Sequence, residues 1–303
     1  MNQAFEQELH HFGPDGTAPT MTVQAATAYC RQFTAQQYEN FTVVSWLLPR
    51  KLAQRFYPVY AWCRWADNLG DEASSPEEAL HLLSWWEQEL AACYEGRPRH
   101  PVTIALQKVV EDCLIPPQPF LQLIDAFRQD QHVREYDHYP QLLRYCQRSA
   151  NPVGQLVLYL AEQYNAENAA LSNNVCTALQ LTNFWQDIRR DWENLQRRYL
   201  PTADCQQFGY SLDDFQQKRF TPQFQQLLTF QVDRAQRLFD AGKPLVGRLT
   251  GPIRHDVALF IRGGEAILAK IRQQNYDVWK SRPKLSKWGK ISLLLGHLFG
   301  RWR

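Results

Sequence analysis

YPVYAWCRWADNLGDE, residues 57–72, and ALQLTNFWQDIRRDW, residues 178–192, carry the chemistry of this 303-residue chain in one shared pattern. Both have helical apolar spacing, yet each bears polar residues where an inward face should be oily. With about 100° between successive residues, Tyr60, Arg64, Asp67 and Asp71 fall on one face. Gln180, Asn183, Asp187 and Asp191 do the same on the second stretch. Val59, Trp62, Cys63, Leu181, Phe184 and Trp185 surround these stripes and belong in a core.

Two readings compete. In the plain one each aspartate pair lies on a solvated face, with Arg64 and Arg190 as surface partners. In the other, the carboxylates are partly buried and need a cation, since like charges one turn apart repel and burial sharpens the cost. No His lies in either stretch and Cys63, their one cysteine, is counted with the core, so a soft metal is not expected. Hard oxygen ligands in small number suit Mg²⁺, completed by substrate phosphate oxygens and water. That reading has two acidic helices facing each other across a diphosphate clamped by Mg²⁺. Metal and arginine charge make diphosphate a good leaving group, with Arg50, Arg55, Arg64, Arg189 and Arg190 as candidate helpers. The cation left on the carbon that loses diphosphate needs a dry pocket, and aromatic faces stabilise it.

The rest of the chain fits a helical host. Apolar spacing predicts helices near 23–38, 50–73, 76–95, 101–113, 117–130, 139–147, 151–163, 170–196, 211–246 and 252–279. Pro49, Ser75-Pro76 with Glu77 and Glu78, and Gly96 punctuate them. No Ser/Gly/Pro-rich linker divides the chain, so one all-α domain is expected over 1–283, followed by a tail. A net charge of +2 argues against a nucleic-acid binder working by bulk charge. Seven scattered cysteines without a CxxC argue against a zinc site or disulfide framework, and fit a reducing cytoplasm. The N-terminus lacks a signal-peptide core, and no run of 18 apolar residues occurs. Residues 284–303, KLSKWGKISLLLGHLFGRWR, admit either an interfacial helix on an anionic membrane or a tail packed on the domain.

From about Thr34 to Arg282 the chain resembles the squalene/phytoene synthase family. LLPRKLAQRFYPVYAWCRWADNLGDE is similar to its first aspartate-rich helix, and QLTNFWQDIRRDWENLQRRYLP to the second. YCQRSANPVG (145–154) and ILAKIRQQNYDVWKSRP (267–283) resemble its intervening and C-terminal stretches. YENFTVVSWLLP, YCQRSANPVG and RGGEAIL are most similar to the hopanoid-pathway squalene/hydroxysqualene branch.

The resemblance implies an all-helical isoprenoid-synthase bundle around a central cavity. It implies Mg²⁺ ligation by Asp67, Asp71, Asp187 and Asp191, and catalytic roles for Tyr60, Arg64, Tyr145, Gln180 and Asn183. Asn40, Phe41, Arg50, Arg282 and Gly264 become candidate substrate contacts. The branch implies conversion of presqualene diphosphate to hydroxysqualene by water, with NADPH not expected; hydride quenching gives squalene instead. Condensation of two farnesyl or geranylgeranyl diphosphates is the alternative reaction, and an inactive pathway-complex subunit the alternative without catalysis. Three departures stand out: Asn68 in place of an aspartate, QYEN at 37–40 in place of a His/Ser-rich contact, and Gly264 in place of an aromatic. Asn68 is expected to weaken the first metal site mildly, Asn68→Asp to be tolerated, and Gly264 to leave room in the cavity.

Overall fold

A computed structural model describes residues 3–36 and 50–285. The chain divides into two compact units, one of 1–132 with 155–164 and the other of 133–154 with 165–303. The sequence marks no linker between them because the chain changes unit within ordinary helical punctuation, and once inside a helix, at Gly154–Gln155. Among the described residues there is no β-strand, only an isolated parallel bridge between Glu135 and Arg198. All seven cysteines are free thiols.

The first unit contains α1 (Gln3–Phe12), α2 (Val23–Gln36), α3 (Arg50–Asp71), α4 (Pro76–Tyr94), α5 (Pro101–Asp112) and α6 (Gln118–Gln129). Its core is built on tryptophan. Trp62, Trp65 and Leu69 of α3 are fully buried, about half a turn round the helix from Asp67. Trp65 stacks on Trp86 at 5.4 Å, and both meet His100 edge-on at 4.5 and 4.8 Å. His100 caps α5, its Nδ1 accepting from the Val102 amide at 3.1 Å. Burial holds its imidazole well below the ordinary range, at about 3, so it is a neutral cap. The predicted start at Ser75-Pro76 is realised: Ser75 Oγ accepts from the Glu78 amide, and Glu78 reaches back to the Ser74 amide at 2.7 Å. Helix α1, which periodicity did not reveal, is held by burial of Phe5 and a 2.7 Å bond from Tyr29 to Glu8.

The second unit contains α7 (Tyr139–Ser149), α9 (Ala166–Leu195), α10 (Thr202–Gln207), α11 (Leu212–Gln216), α12 (Pro222–Gly242), α13 (Pro244–Arg248) and α14 (Ile253–Gln273). Helix α8 (Asn151–Leu160) is shared between the units. α9 is its spine, packed most extensively on α12. Asn165 caps it at the N-terminus, and Gln196 ends it in the left-handed conformation at φ 52°. The single helix expected over 211–246 is broken. Lys218 turns left-handed, Thr221 caps a new start with Pro222 at the first position, and Pro244 opens a further short helix. The last helix likewise stops at Gln273, short of the expected 279, because Asn275 and Tyr276 both take left-handed φ.

Candidate active-site residues

The first half lies on α3. Tyr60, Arg64 and Asp67 are half-buried along one face and Asp71 is exposed at its end. Arg64 pairs with Asp67 from the same helix, one turn back. Withdrawal from water, and then the charge of Asp71, push the Asp67 carboxyl up to about 6 against the pull of Arg64. Burial likewise raises the Tyr60 phenol above its ordinary value. The helix end is tied down by Gln131, whose amide donates to the carbonyls of Gly70 and Phe127 at 3.0 and 3.1 Å.

Two expectations about this half are corrected. Arg55 is engaged elsewhere, pairing with Glu162 at 2.6 Å. Asn68 lies about 100° round from Asp67, off the polar face as its spacing requires, and is only 2% exposed, beside the tryptophan core. An aspartate there would bury a charge instead of strengthening a metal site. Asn40 and Phe41 lie outside the described residues, and the side chain of Arg50 lies outside the described side chains.

The second half lies on α9. Gln180, Asp187 and Asp191 are half-buried and Asn183 is exposed. The Asp191 carboxyl is pushed up to about 7 by burial and by the charge of Asp187, against Arg190, Arg197 and Arg282. Arg282 reaches Asp187 with two parallel bonds, one guanidinium nitrogen on each carboxylate oxygen, the outer at 2.8 Å. Arg189 is turned to Glu193 at 3.0 Å and to the Trp279 carbonyl at 3.1 Å. Arg197, which sequence reasoning passed over, is buried. The left-handed Gln196 folds the chain back so that the Arg197 amide donates to Asp191 O at 3.1 Å.

Beside this acidic face stands an aromatic box. Tyr145, 4% exposed, has the rings of Tyr136 at 5.6 Å and of Tyr199 and Phe184 each at 6.2 Å. Phe184 and Tyr199 stack at 3.6 Å. Phe184 precedes Asp187 by three residues, so the box adjoins the carboxylates on the same side of α9. Tyr136 and Tyr199 meet because the segments around Glu135 and Arg198 run side by side. Arg198 N donates to Arg134 O at 2.8 Å, and its buried guanidinium holds Glu135 at 2.7 Å. The only sequence signal for Tyr199 was its place in RRYLP, directly after the acidic helix.

Gly264 does not open space. A Cβ there would come within 2.3 Å of the Phe239 ring and 3.0 Å of Leu179, so α14 sits tightly on α12 and α9 at this point. The room expected of the glycine is filled by Phe239.

Among the described residues no group of three or more His, Cys, Asp or Glu side chains converges. Each half offers two carboxylates one turn apart, and in each one carboxyl is pushed up by burial and by its neighbouring carboxylate, more than the nearby arginines offset. That donor set fits Mg²⁺, which takes one or two carboxylates and leaves its other positions to phosphate oxygens and water. It is a poor fit for a metal that needs nitrogen or sulfur.

An all-helical chain with two such acidic faces and a buried aromatic box falls in the class of isoprenoid-synthase folds. Residues 34–289 match the squalene/phytoene synthase family, and the chain belongs to it. The members are prenyltransferase-type enzymes. In structure the chain is similar to squalene synthase HpnC from Alicyclobacillus acidocaldarius, at 43% identity and a TM-score of 0.81, covering 84% of this chain and 95% of that one. In sequence it is 29% identical over 280 residues to a phytoene synthase of Arthrospira platensis, covering 88% of this chain and 90% of the relative. It is 28% identical over 253 residues to a hydroxysqualene synthase of Sinorhizobium fredii, covering 82% and 84%. No helix among the described residues is long and apolar enough to cross a membrane.

Proposed function

We propose that this chain converts presqualene diphosphate to hydroxysqualene or squalene with release of diphosphate, in a Mg²⁺-dependent reaction. The carrying observation is the repeated acidic pair, in which Asp67 and Asp191 are both held high by burial and a neighbouring carboxylate. A carboxylate so placed binds a proton or a metal, and near neutral pH the metal competes well. The likeness to a squalene synthase and a hydroxysqualene synthase supports the substrate class.

When bound, Mg²⁺ supplies Lewis acidity to the departing diphosphate oxygens. Asp67 with Asp71 on α3 and, as a separate pair, Asp187 with Asp191 on α9 are the residues that would hold such an ion. Arg64 and Arg282 bring the positive charge that the leaving group gathers. Tyr145, Tyr136, Tyr199 and Phe184 exclude water and turn aromatic faces toward a carbocation, with the first three also supplying hydroxyls. Gln180 and Asn183 offer amides at the same face, suited to hold one water for capture. NADPH is not required on this reading, and localisation is cytoplasmic with peripheral membrane contact through the basic tail, which lies outside the described residues from 286 onward.

Head-to-head condensation of farnesyl or geranylgeranyl diphosphate is the second reading, favoured by the similarity to phytoene synthase. Incubating the purified protein with presqualene, farnesyl or geranylgeranyl diphosphate, with Mg²⁺ and with or without NADPH, separates the two. Hydroxysqualene from presqualene diphosphate without NADPH is the expected product. Phytoene from geranylgeranyl diphosphate with no turnover of presqualene diphosphate establishes the second reading.

A further inference from the structure

The second acidic face is met by a strap of chain that follows α14. After α14 the chain reverses through left-handed Asn275 and Tyr276, a turn two non-glycine residues adopt only under tertiary constraint. It then returns to α9 without regular structure from Arg282 onward. Backbone carbonyls in such a segment need donors, since no ladder supplies them. Two side chains of α9 do so. Gln186, 7% exposed, donates its amide to Pro283 O, and Arg189 donates to Trp279 O at 3.1 Å.

These two anchors bracket Arg282. Trp279 is further fixed by packing edge-on against Phe215 at 5.2 Å and beside Phe224 at 5.6 Å. Pro283 is buried and restricts the residue before it to extended backbone. Gln274 adds a 2.6 Å bond to Ser281 Oγ. The backbone of Arg282 is therefore determined on both sides, and its guanidinium falls on Asp187 in the two-bond geometry. An arginine that merely formed a surface ion pair would need none of this support.

We propose that Gln186 and Arg189 are positioning residues that hold the 279–283 strap, and with it Arg282, at the second acidic pair as a preset cation for diphosphate. This rests on the diphosphate reading above. With its carboxylate partner engaged by Mg²⁺, the Arg282 guanidinium would be kept by the strap within reach of the incoming anion rather than lost to solvent. Preorganisation of this kind acts on binding more than on the chemical step.

The test uses the whole protein with Mg²⁺ and inorganic diphosphate as the probe. Gln186→Met keeps the side-chain volume and removes the donor; Arg189→Met does so at a half-exposed position where folding is not at stake. Losing one such bond should weaken diphosphate binding by calorimetry about tenfold, and speed trypsin cleavage after Lys280 by a similar factor. Arg282→Gln should weaken diphosphate binding at least as much, and Gln186→Met added to Arg282→Gln should weaken it no further. Unchanged diphosphate affinity in both Met variants overturns the inference while leaving the diphosphate reading intact. Multiplying effects in the double variant overturn it too, by assigning Gln186 a role independent of Arg282. If the unmutated protein binds no diphosphate with Mg²⁺, the diphosphate reading fails and the inference falls with it.

Discussion

The acidic faces of α3 and α9 look alike in sequence and are wired differently. On α3, the arginine that meets the lead aspartate comes from the same helix, three residues back. On α9 it comes from a strap 95 residues further along the chain. The first face is thus an autonomous feature of one helix. The second exists only when the C-terminal segment is docked, so its charge balance depends on tertiary structure. Each lead aspartate also has a buried amide next to it, Asn68 after Asp67 and Gln186 before Asp187. Asn68 lies beside a tryptophan core, whereas Gln186 anchors the strap.

The largest effect should be common to both faces. Replacing Asp67 or Asp187 by Asn is expected to lower turnover of the diphosphate substrate by about 10²–10³, the scale of losing one main electrostatic contact in a transition state. The faces should part company in the metal-free protein. Asp191→Asn relieves a raised carboxyl and should leave the melting temperature unchanged or higher. Asp187→Asn strips Arg282 of its partner and should lower it. Equal melting temperatures for the two variants would show that the strap contact carries no stability.

Asn68→Asp comes next. Burying a carboxylate beside Trp62 and Trp65 is expected to destabilise the protein by about 2–4 kcal/mol near neutral pH. An introduced acid whose folded pKa is raised costs nothing below its unfolded pKa, and its full penalty appears above the folded one. The loss measured by denaturant should therefore shrink as pH falls toward 4. A variant as stable as the parent at pH 8 would show that position 68 does not bury the introduced charge.

A smaller, reversible effect follows from Asp191 itself. Its pKa is about 7 folded against 3.8 for the ordinary side chain, so the folded state holds the extra proton between those values. Stability from this group is present at low pH and is lost as pH rises through that window. Allowing for solvent screening, Asp191→Asn should gain about 1–2 kcal/mol relative to the parent at pH 8 and almost nothing at pH 4. Mg²⁺ bound at Asp191 would have to displace the same proton, so its affinity should fall as pH drops from 8 to 6, with protons released on binding. A Mg²⁺ affinity independent of pH across that range would place the metal elsewhere.

Much of this was legible because it is local. Spacing of three and four residues on α3 and α9 is written in the chain, and so are Ser75-Pro76 and the aspartate pairs. The break at Thr221-Pro222 was also written there, but continuous apolar periodicity across it masked the cap. What could not be read depends on distant segments meeting. Tyr136 joins Tyr199 through the side-by-side run at Glu135 and Arg198, and Arg282 finds Asp187 across a turn of two left-handed residues. Gly264 shows the same limit in reverse. An absent side chain implies space only if nothing else moves in, and the Phe239 ring does.

The smallest difference tests the comparison most directly. Arg64→Gln and Arg282→Gln each remove one ion pair from one acidic face. The α3 pair is half-exposed on both sides and bridges a single helical turn, so its loss should cost only about 0.3–0.5 kcal/mol. The α9 pair engages an aspartate whose side chain is only 14% exposed through two parallel bonds, and should cost about 1 kcal/mol. The readout that separates them is local rather than global. Arg282→Gln should raise amide exchange selectively over 277–285, because the strap loses one of its side-chain ties while α9 stays packed. Arg64→Gln should leave exchange along α3 unchanged, since the tryptophan face holds that helix whether or not its arginine is paired. Faster exchange over α3 in Arg64→Gln, matching that of the strap in Arg282→Gln, would mean that the first face is no more self-contained than the second.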